Sequence, residues 1–450
     1  MKMFLQGQWQ ERGTVAEVIH PYDGAVLDTV PVGAPEDISA ALDGLEQGVA
    51  LMRTLPTHRR VEILRRTAQL MAEQQEDLAR LISREEGKVL AEGRIEAGRA
   101  METLDLSADA ARDLHGETVP LDATSGGVGK LGFTLRVPCG IVAAITPFNF
   151  PLNLVAHKIG PAIAGGNAVL LKPASDTPLS ALKLVELLLE AGLPEEAIAC
   201  VTGPGGELGE AICADARVRK ISFTGSAEVG EAITRAAGLK RVTMELGSNS
   251  PVIVLDEADV AKVARTLAVT GYANAGQVCI SSQRVIATPG AHADLLDALR
   301  TEVQQLVAGD PLVEGTQVGP LIRERDAARV ETWLGEAVMQ GAELLCGGSR
   351  DGAVVQPALL ANVAPEMKLS CEELFGPALG VTRASDVEAA IALANETRFG
   401  LSAAVFTQDI DRAMRFAREV DSGNLHINFG TAWRAEIMPY GGLKESGFGK

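Results

Sequence analysis

From Cys139 onward, short apolar segments alternate with amphipathic segments in a regular order. The apolar ones are IVAAIT, NAVLLKP, IACVTG, KISFTGS, RVTMEL and PVIVL, and helical stretches such as PLSALKLVELLLEAG separate them as far as RVTMEL. Near-continuous apolar strands separated by helices are typical of a parallel sheet that is covered on both faces. A second round of the alternation runs from DEADVAKVARTLAVTGYANAG to about Asn428. The pattern therefore predicts two α/β units with a cleft between them, where ligands usually bind.

The part of the chain before these segments has a different character. The stretch up to His115 is mostly helical in pattern, and residues 40–112 are amphipathic with few β-branched runs. Within residues 117–138, three glycines stand between the segments VPL and LGFTLRV, which predicts a hairpin or a strand excursion. Because 450 residues exceed one ordinary core, we expect two or three domains.

The bulk composition argues against several classes of protein. A net charge of −18 speaks against a nucleic-acid partner, which would require a basic surface. No apolar run approaches the length of a bilayer span, and the N-terminal MKMFLQGQWQERGT lacks the features of a secretory signal, so we expect no membrane partner. The six cysteines are scattered, without a C-x-x-C pair or a nearby histidine cluster. We therefore expect a cytoplasmic protein that has neither a disulfide framework nor a metal site.

Three segments carry side chains suited to catalysis. Asn149, in ITPFNFP, follows the strand IVAAIT, and its amide could stabilise an oxyanion or cap the next helix. Glu245, in TMELGSNSP, ends a strand and could be a general base or an ordinary ion-paired carboxylate. Cys279, in GQVCISSQR, could be an activated nucleophile or a buried, inert thiol. The residues alone leave these alternatives open.

A set of motifs extends the pattern over essentially the whole chain. TPFNFP, HKIGPAIAGGN, LLKPAS, FTGS, MELG, GQVC, EELFGP and GGLKESGFGK occur in this order. In their order and separations they resemble the aldehyde dehydrogenase superfamily. The resemblance implies an α/β fold with a Rossmann-like cofactor domain, at residues 1–116 and 138–246, and an α/β catalytic domain at residues 247–430. A small β oligomerisation hairpin at residues 117–137 would serve subunit pairing, together with residues 431–450.

The resemblance implies that an aldehyde is oxidised to a carboxylic acid and that the acyl group is released by hydrolysis. Cys279 would add to the aldehyde carbon, and Asn149 with the Cys279 backbone N–H would stabilise the oxyanion of the thiohemiacetal. Transfer of hydride to a nicotinamide would leave a thioester, and Glu245 would activate the water that hydrolyses it. Lys158 would either relay the proton or make only a structural contact.

The same resemblance implies a dinucleotide site. The turn FTGSAEVG would place backbone N–H groups toward the pyrophosphate, and GPGGELG would lie beside the adenine. Lys172 would bind the adenosine ribose, Glu373 would hold the nicotinamide ribose and Phe375 would pack near the nicotinamide ring. The predicted cofactor-binding residues are Thr146, Pro147, Phe148, Lys172, Ser175, Gly205, Gly209, Phe223, Gly225, Ser226, Leu246, Glu373 and Phe375.

Position 175 bears on the choice between NAD and NADP. Members that strongly prefer NAD commonly have a glutamate three residues after the lysine, where it pairs with the ribose 2′-hydroxyl and repels a 2′-phosphate. This chain has Ser175, which removes the repulsion, although Asp176 stands beside it. We therefore expect both NAD and NADP to be used.

Cations near the substrate entrance bear on the choice of aldehyde. By resemblance, Arg434 would line the substrate funnel with Phe150 and Trp433, and it would either bind an anionic tail or form a structural ion pair. Arg99 and Arg284 are expected to make structural contacts. The expected substrate is an aldehyde with an anionic or hydroxylated tail.

Two alternatives to a hydrolytic enzyme stay open. A CoA-acylating relative would pass the acyl group to CoA, and the presence of Glu245 counts against it because such members often lack the base. A catalytically inactive structural relative, such as a lens crystallin, would be expected to have lost Cys279 or Glu245. Homodimers or homotetramers are expected by resemblance, although members usually continue past GGLKESGFGK with a tail that supplies a strand for subunit pairing.

Overall fold

The computed structural model describes residues 1–449, which form two α/β units. Numbered along the chain, the helices are α1 Pro35–Thr54, α2 Thr57–Glu73, α3 Gln75–Glu86, α4 Leu90–Arg112, α5 Asn153–Ala164, α6 Leu179–Glu190, α7 Gly205–Ala214, α8 Ala227–Ala236, α9 Val260–Thr270, α10 Pro289–Val303, α11 Glu324–Met339, α12 Lys368–Cys371, α13 Val387–Asn395 and α14 Ile410–Glu419.

The strands are numbered in the same way. They are β1 Met3–Leu5, β2 Gln8–Gln10, β3 Val15–Ile19, β4 Val26–Pro31, β5 Thr118–Val119, β6 Gly132–Phe133, β7 Ile141–Ile145, β8 Ala168–Lys172, β9 Ile198–Cys200, β10 Val218–Thr224, β11 Arg241–Glu245, β12 Pro251–Val254, β13 Arg284–Ala287, β14 Glu343–Cys346, β15 Arg350–Asp351, β16 Val354–Val355, β17 Ala358–Ala361, β18 Ala378–Arg383, β19 Phe399–Gly400, β20 Ser402–Phe406, β21 Asn424–Ile427, β22 Leu443–Lys444 and β23 Gly447–Phe448.

An eight-stranded sheet forms the first unit, in the order β2-β1-β9-β8-β7-β10-β11-β23. The five strands from β9 to β11 run parallel, and β1 and β23 add antiparallel at the two sides. Strands β7 and β8 are buried along their whole length, because α2, α4, α5 and α6 cover one face of the sheet and α1, α7 and α8 cover the other. The apolar segments therefore form the covered parallel sheet that their pattern predicts.

The second unit is built around a seven-stranded sheet in the order β14-β17-β18-β13-β12-β20-β21. Its strands are parallel except for β14, which pairs antiparallel with β17. Helices α9, α10 and α11 pack on one face and α13 and α14 on the other. This confirms the predicted α/β fold with two parallel-sheet cores, while the exact domain limits stay a prediction.

The N-terminal segment differs from the prediction. Helices α1 to α4 occupy the amphipathic region as expected, but residues 3–31 form four strands rather than helix. In the hairpin of β1 and β2, Gln6 and Gly7 have φ values of 51° and 72°, and Leu5 pairs with Gln8. Positive φ at both central residues is the two-residue turn that matches the twist of a hairpin. Strands of three residues are too short to show a period of two in the sequence.

The predicted hairpin at residues 117–137 is present as a short ladder in which β5 pairs antiparallel with β6. Apolar side chains around this ladder are largely exposed, among them Leu131, Phe133 and Leu135. Exposed apolar side chains that cluster in one segment are typical of an interaction surface. Within residues 1–449, no helix has the length and apolar character needed to cross a membrane.

Candidate active site

A cleft of about 1220 Å³ lies at the carboxyl ends of the parallel strands of the first unit. All the predicted cofactor-binding residues line it, from Thr146 after β7 to Phe375, which comes from the second unit. The predicted catalytic residues Asn149, Glu245 and Cys279 line the same cleft. The fold thus brings together in one cavity side chains that are more than 200 positions apart in the sequence.

The loop that carries Cys279 has an unusual backbone. Asn274, Ala275 and Gly276 have φ values of 49°, 54° and 73° in the turn that precedes it. A Cβ atom at Gly276 would lie 2.1 Å from the carbonyl oxygen of Gly376, so only glycine allows the loop to approach the backbone at Gly376 this closely. The conformation holds Cys279 at the wall of the cleft.

The sulfur of Cys279 lies in a partly apolar setting. It is 3.7 Å from the hydroxyl of Tyr440, and the residue packs with Phe150 against Val278 and Ile280. Burial raises the pKa of the Cys279 thiol to about 12. Within residues 1–449 no group accepts a hydrogen bond from the Cys279 backbone N–H, which leaves that donor for a ligand.

Asn149 connects the end of β7 to the cysteine loop. Its side-chain amide donates to the carbonyl of Gln277 at 2.8 Å, and its own carbonyl accepts from Lys88 Nζ at 2.7 Å. Asn149 does not cap α5, because the carboxylate of Glu96 accepts from the backbone N–H groups at the start of that helix. The capping alternative is therefore wrong, and the side chain is fixed beside Cys279 by the loop that carries it.

Glu245 ends β11 inside the cleft, and its Oε2 is buried with no hydrogen-bond partner among residues 1–449. Burial raises the pKa of Glu245 to about 7, against the attraction of the positive charges of Lys158 and Arg434. Burial also lowers the pKa of Lys158 to about 7, and this side chain donates to Thr224 at 2.7 Å. The opposite shifts bring the pKa values of this buried carboxyl and this buried amine close together.

The cleft also has the groups that a dinucleotide requires. The side chain of Ser226 accepts from Val229 N and begins α8, so the N-terminal end of this helix faces the cleft. The Oγ1 of Thr146 is buried without a partner among residues 1–449, and burial lowers the pKa of Lys172 to about 8. Glu373 accepts from Ser248 N at 2.8 Å, while burial raises its pKa to about 7. The residues present fit such a ligand.

Two charged side chains lie beside Ser175. Its hydroxyl donates to the carbonyl of Gly203 at 2.9 Å, while Asp176 binds Arg323 in a bidentate pair with one contact of 2.7 Å. All three residues Ser175, Asp176 and Arg323 line the cleft. Because Arg323 neutralises Asp176, the carboxylate next to Ser175 is not free to repel a phosphate.

The predicted substrate residues do not line this cleft. Two of them lie near Cys279, and the third lies at the surface. The guanidinium of Arg434 lies over the ring of Tyr440 at 4.1 Å, and Phe150 packs beside Cys279, so both are near the sulfur of Cys279. Trp433 is 54% exposed and stacks on Phe429 with ring centroids 5.5 Å apart, which places it at the surface.

The other two arginines make structural contacts, as expected. Arg99 binds Glu436 at 2.7 Å, and Glu436 also pairs with His157 at 3.0 Å. Burial acts to raise the pKa of Glu436, but His157 and Arg99 outweigh it and lower the pKa to about 2. Arg284 is buried and donates to the carbonyl of Leu393 at 2.7 Å.

Comparison with known proteins identifies the family. Residues 9–450 match the model of the aldehyde dehydrogenase family. The chain belongs to this family.

Relatives and solved structures of the aldehyde dehydrogenase family resemble the chain over almost its whole length. A 3-sulfolactaldehyde dehydrogenase of Priestia megaterium is 42% identical over 100% of this chain and 94% of its own length. A lactaldehyde dehydrogenase of Methanococcus vannielii is 37% identical over 100% and 96%.

Two solved structures are similarly close. The glyceraldehyde-3-phosphate dehydrogenase GapN of Methanocaldococcus jannaschii, complexed with NADP, has a TM-score of 0.93 and 36% identity over 97% of this chain and 95% of that chain. An NAD-dependent aldehyde dehydrogenase of Sinorhizobium meliloti has a TM-score of 0.95 and 33% identity over 100% and 90%. This aldehyde dehydrogenase is an oxidoreductase that acts on aldehydes and uses NAD or NADP.

Several residues near the reactive centre of this aldehyde dehydrogenase were not predicted from the sequence. Tyr440 is close to Cys279 because the C-terminal segment, which also carries Arg434 and Glu436, folds back onto the second unit. Lys88 supports Asn149 from a position 61 residues earlier in the chain. A lone tyrosine, glutamate or lysine gives no local signal of such a role, and only the motif GGLKESGFGK and the neighbouring Arg434 and Trp433 marked the region of Tyr440.

Proposed function

We propose that this enzyme oxidises a short aldehyde with an anionic tail to the carboxylic acid, through a covalent intermediate on Cys279. The observation that supports it best is the contact chain from Cys279 to Tyr440 and from Tyr440 to Arg434, at 3.7 Å and 4.1 Å. These two contacts place the Arg434 cation one side chain away from the sulfur of Cys279. An arginine at that distance suits a carboxylate, sulfonate or phosphate on the carbon next to the aldehyde or one further away.

The first step of the proposed mechanism is attack by sulfur. Because burial raises the pKa of the Cys279 thiol to about 12, the sulfur gives up its proton to solvent in the cleft as it attacks. The sulfur bonds to the aldehyde carbon, and the electron pair of the carbonyl moves to its oxygen. The second N–H of the Asn149 amide and the free N–H of Cys279 stabilise that oxygen.

The second step releases the acid. Lys172, Ser226 and Glu373 would hold NAD or NADP, which would supply the acceptor for the hydride that the thiohemiacetal on Cys279 loses as it becomes a thioester. Glu245, whose Oε2 has no partner among residues 1–449, removes a proton from the water that attacks the thioester. Lys158 donates to the hydroxyls of Thr224 and Ser222 on β10 and passes the proton onward from Glu245.

The charges around the substrate entrance support an anionic tail. Arg99 and Arg434 carry two positive charges, and Glu436 carries the one carboxylate paired with both. Burial lowers the pKa of His157, which acts against a positive charge on its ring. Glu245 also faces Arg434, but its raised pKa of about 7 weakens its negative charge, so the group keeps positive charge that a substrate anion would satisfy. Two of the similar enzymes are named for anionic aldehydes, 3-sulfolactaldehyde and glyceraldehyde 3-phosphate.

A substrate panel tests the proposal. The rate of NAD(P)H formation is measured by absorbance with 3-sulfolactaldehyde, succinate semialdehyde, glyceraldehyde 3-phosphate, lactaldehyde and butyraldehyde, with each cofactor and without CoA. We expect the highest kcat/KM with an anionic aldehyde, no turnover in Cys279→Ala, and a higher KM for anionic but not neutral substrates in Arg434→Gln. Turnover only with CoA would favour a CoA-acylating enzyme, and equal effects of Arg434→Gln on butyraldehyde would exclude the anionic assignment.

We also propose a homodimer or homotetramer that uses the hairpin at residues 117–137. The exposed Leu131, Phe133 and Leu135 support an interface there. A Phe133→Glu and Leu135→Glu double variant should lower the mass measured by light scattering.

We further propose that the chain is divided into a cofactor domain at 1–116 and 138–246 and a catalytic domain at 247–430.

A further inference from the structure

The hydroxyl of Tyr440 is the polar side-chain group closest to the sulfur of Cys279 among the described contacts, at 3.7 Å. This separation is within reach of a hydrogen bond to sulfur. The two side chains also share one apolar cluster with Phe150 and Ala432, which limits the access of solvent to the contact. A hydrogen bond in such surroundings is stronger than one in water.

The direction of this hydrogen bond follows from the charges that face it. Glu245, Glu373 and Arg434 face Cys279, and the first and last of these also face Tyr440. Burial, together with the neighbouring Cys279 and Glu245, raises the pKa of Tyr440 well above its ordinary value. The phenol therefore stays protonated over the whole range in which the enzyme would work, and it can only donate to a thiolate.

Arg434 fixes the position of the Tyr440 ring by packing on one of its faces. The guanidinium of Arg434 lies 4.1 Å from the ring centroid of Tyr440, and Glu436 lies within 3.8 Å of Arg434. A cation over the ring draws electron density from it and makes the phenolic hydrogen a better donor. The contact thus couples the arginine at the substrate entrance to the reactive sulfur.

We propose that Tyr440 is a catalytic residue whose hydroxyl donates a hydrogen bond to the Cys279 thiolate, stabilises it and aims it at the aldehyde carbon. This rests on the proposed function, in which Cys279 is the nucleophile. Asn149 and the Cys279 N–H bind the developing oxyanion, whereas Tyr440 binds the sulfur before attack. The hydrogen bond adds no proton to the sulfur, and the thiol proton still leaves to solvent.

The test compares the wild type with Tyr440→Phe, which removes the hydroxyl and keeps the ring under Arg434. The full-length enzyme, without aldehyde, is treated with iodoacetamide from pH 6 to pH 11, and alkylation of the Cys279 peptide is followed by mass spectrometry. Because burial raises the pKa of the Cys279 thiol to about 12, this range lies below the midpoint, which is obtained by extrapolating each profile to the alkylation rate of the fully ionised thiol in the unfolded protein. We expect this midpoint to rise by about one unit, which is about a tenfold loss of thiolate at each pH. The measured rise is a lower limit, because a less stabilised thiolate is also more nucleophilic.

The chain offers two matched controls. Tyr272 is a buried tyrosine that donates to the carbonyl of Ala358 at 2.7 Å, and Tyr22 is exposed. Tyr272→Phe and Tyr22→Phe should leave the midpoint at its wild-type value. Circular dichroism and NADPH binding establish that each variant is folded. Tyr440→Leu, which also removes the ring, is a second variant that should raise the midpoint at least as far.

The outcomes separate this inference from the proposed function. An unchanged midpoint in folded Tyr440→Phe, with Cys279→Ala inactive toward aldehydes, overturns the role of Tyr440 alone. Wild-type turnover by Cys279→Ala overturns the proposed function itself. A raised midpoint in Tyr440→Phe that also appears in Tyr272→Phe would show a general effect of lost packing and would equally overturn the inference.

Discussion

Asn149 donates a hydrogen bond of 2.8 Å from its side-chain amide to the carbonyl of Gln277, two residues before Cys279. One bond thereby joins the carboxyl end of a strand in the first unit to the loop of the second unit that carries Cys279. Since Asn149 is only 3% exposed, solvent does not compete for its amide. This link fixes the position of the Asn149 amide relative to the loop of Cys279.

Replacing Asn149 tests the role of its amide. Asn149→Ala should lower kcat by about 100- to 1000-fold, because one of the two oxyanion donors is lost, with a smaller change in KM. Steady-state kinetics with the best aldehyde measure the effect. Asn428→Ala is a control, because Asn428 bonds to the backbone of Thr407 away from the cleft. Equal losses of kcat in the two variants would contradict a specific role.

The pH dependence of the hydrolytic step should follow Glu245. Because a base acts only when deprotonated and the pKa of Glu245 is raised to about 7, thioester hydrolysis should increase with pH and reach half its maximum near pH 7. In Glu245→Gln the increase of the hydrolysis rate with pH should disappear, and turnover should stop after one burst of NAD(P)H formation. Stopped-flow absorbance records the burst. A pH profile that Glu245→Gln leaves intact would assign the base to another residue.

Cofactor preference should respond to position 175. Ser175→Glu should raise the KM for NADP by about 10- to 100-fold and leave the KM for NAD nearly unchanged, since the new carboxylate repels the 2′-phosphate. Ser175→Ala is the control and should change neither value by much. Arg323→Ala should act in the same direction as Ser175→Glu, because it frees the charge of Asp176. The idea fails if Ser175→Glu weakens both cofactors alike.

The buried pair beneath Asn149 should carry a large stability effect. Lys88 and Glu96 are 1% and 0% exposed, and their charged atoms are 2.5 Å apart. Lys88→Met leaves an unpaired buried carboxylate and should lower the free energy of unfolding by about 3–5 kcal/mol. Arg59→Met, which breaks the exposed pair with Glu62, should have almost no effect. Chemical denaturation measures both, and similar losses would show that burial of the pair is not decisive.

The parts of the fold that could be predicted are those encoded locally. Strands β7 to β12 are continuous apolar segments between helices, so their period and their flanking residues identify them. Strands β1 and β2 are only three residues long, and their turn at Gln6 and Gly7 is not marked by the usual Asn-Gly pair. They form because the core of the first unit buries Met3, Phe4 and Leu5, which is a tertiary effect.

The site could be predicted only by family resemblance. Asn149, Glu245 and Cys279 lie far apart in the sequence, and each has an ordinary structural alternative that spacing cannot exclude. The resemblance covered the motifs but not Tyr440 or Lys88, because their contribution depends on distances to Cys279 and Asn149 that exist only in the folded chain.

The proposed thioester on Cys279 can be trapped and weighed directly. Glu245→Gln is mixed with the best aldehyde and NADP, quenched in acid and digested, and the Cys279 peptide is weighed by mass spectrometry. We predict that the peptide gains the mass of the acyl group, in near-stoichiometric amount, and only when the cofactor is present. An unmodified Cys279 peptide during formation of NADPH, or an acyl group on one of the other five cysteines, would contradict the account.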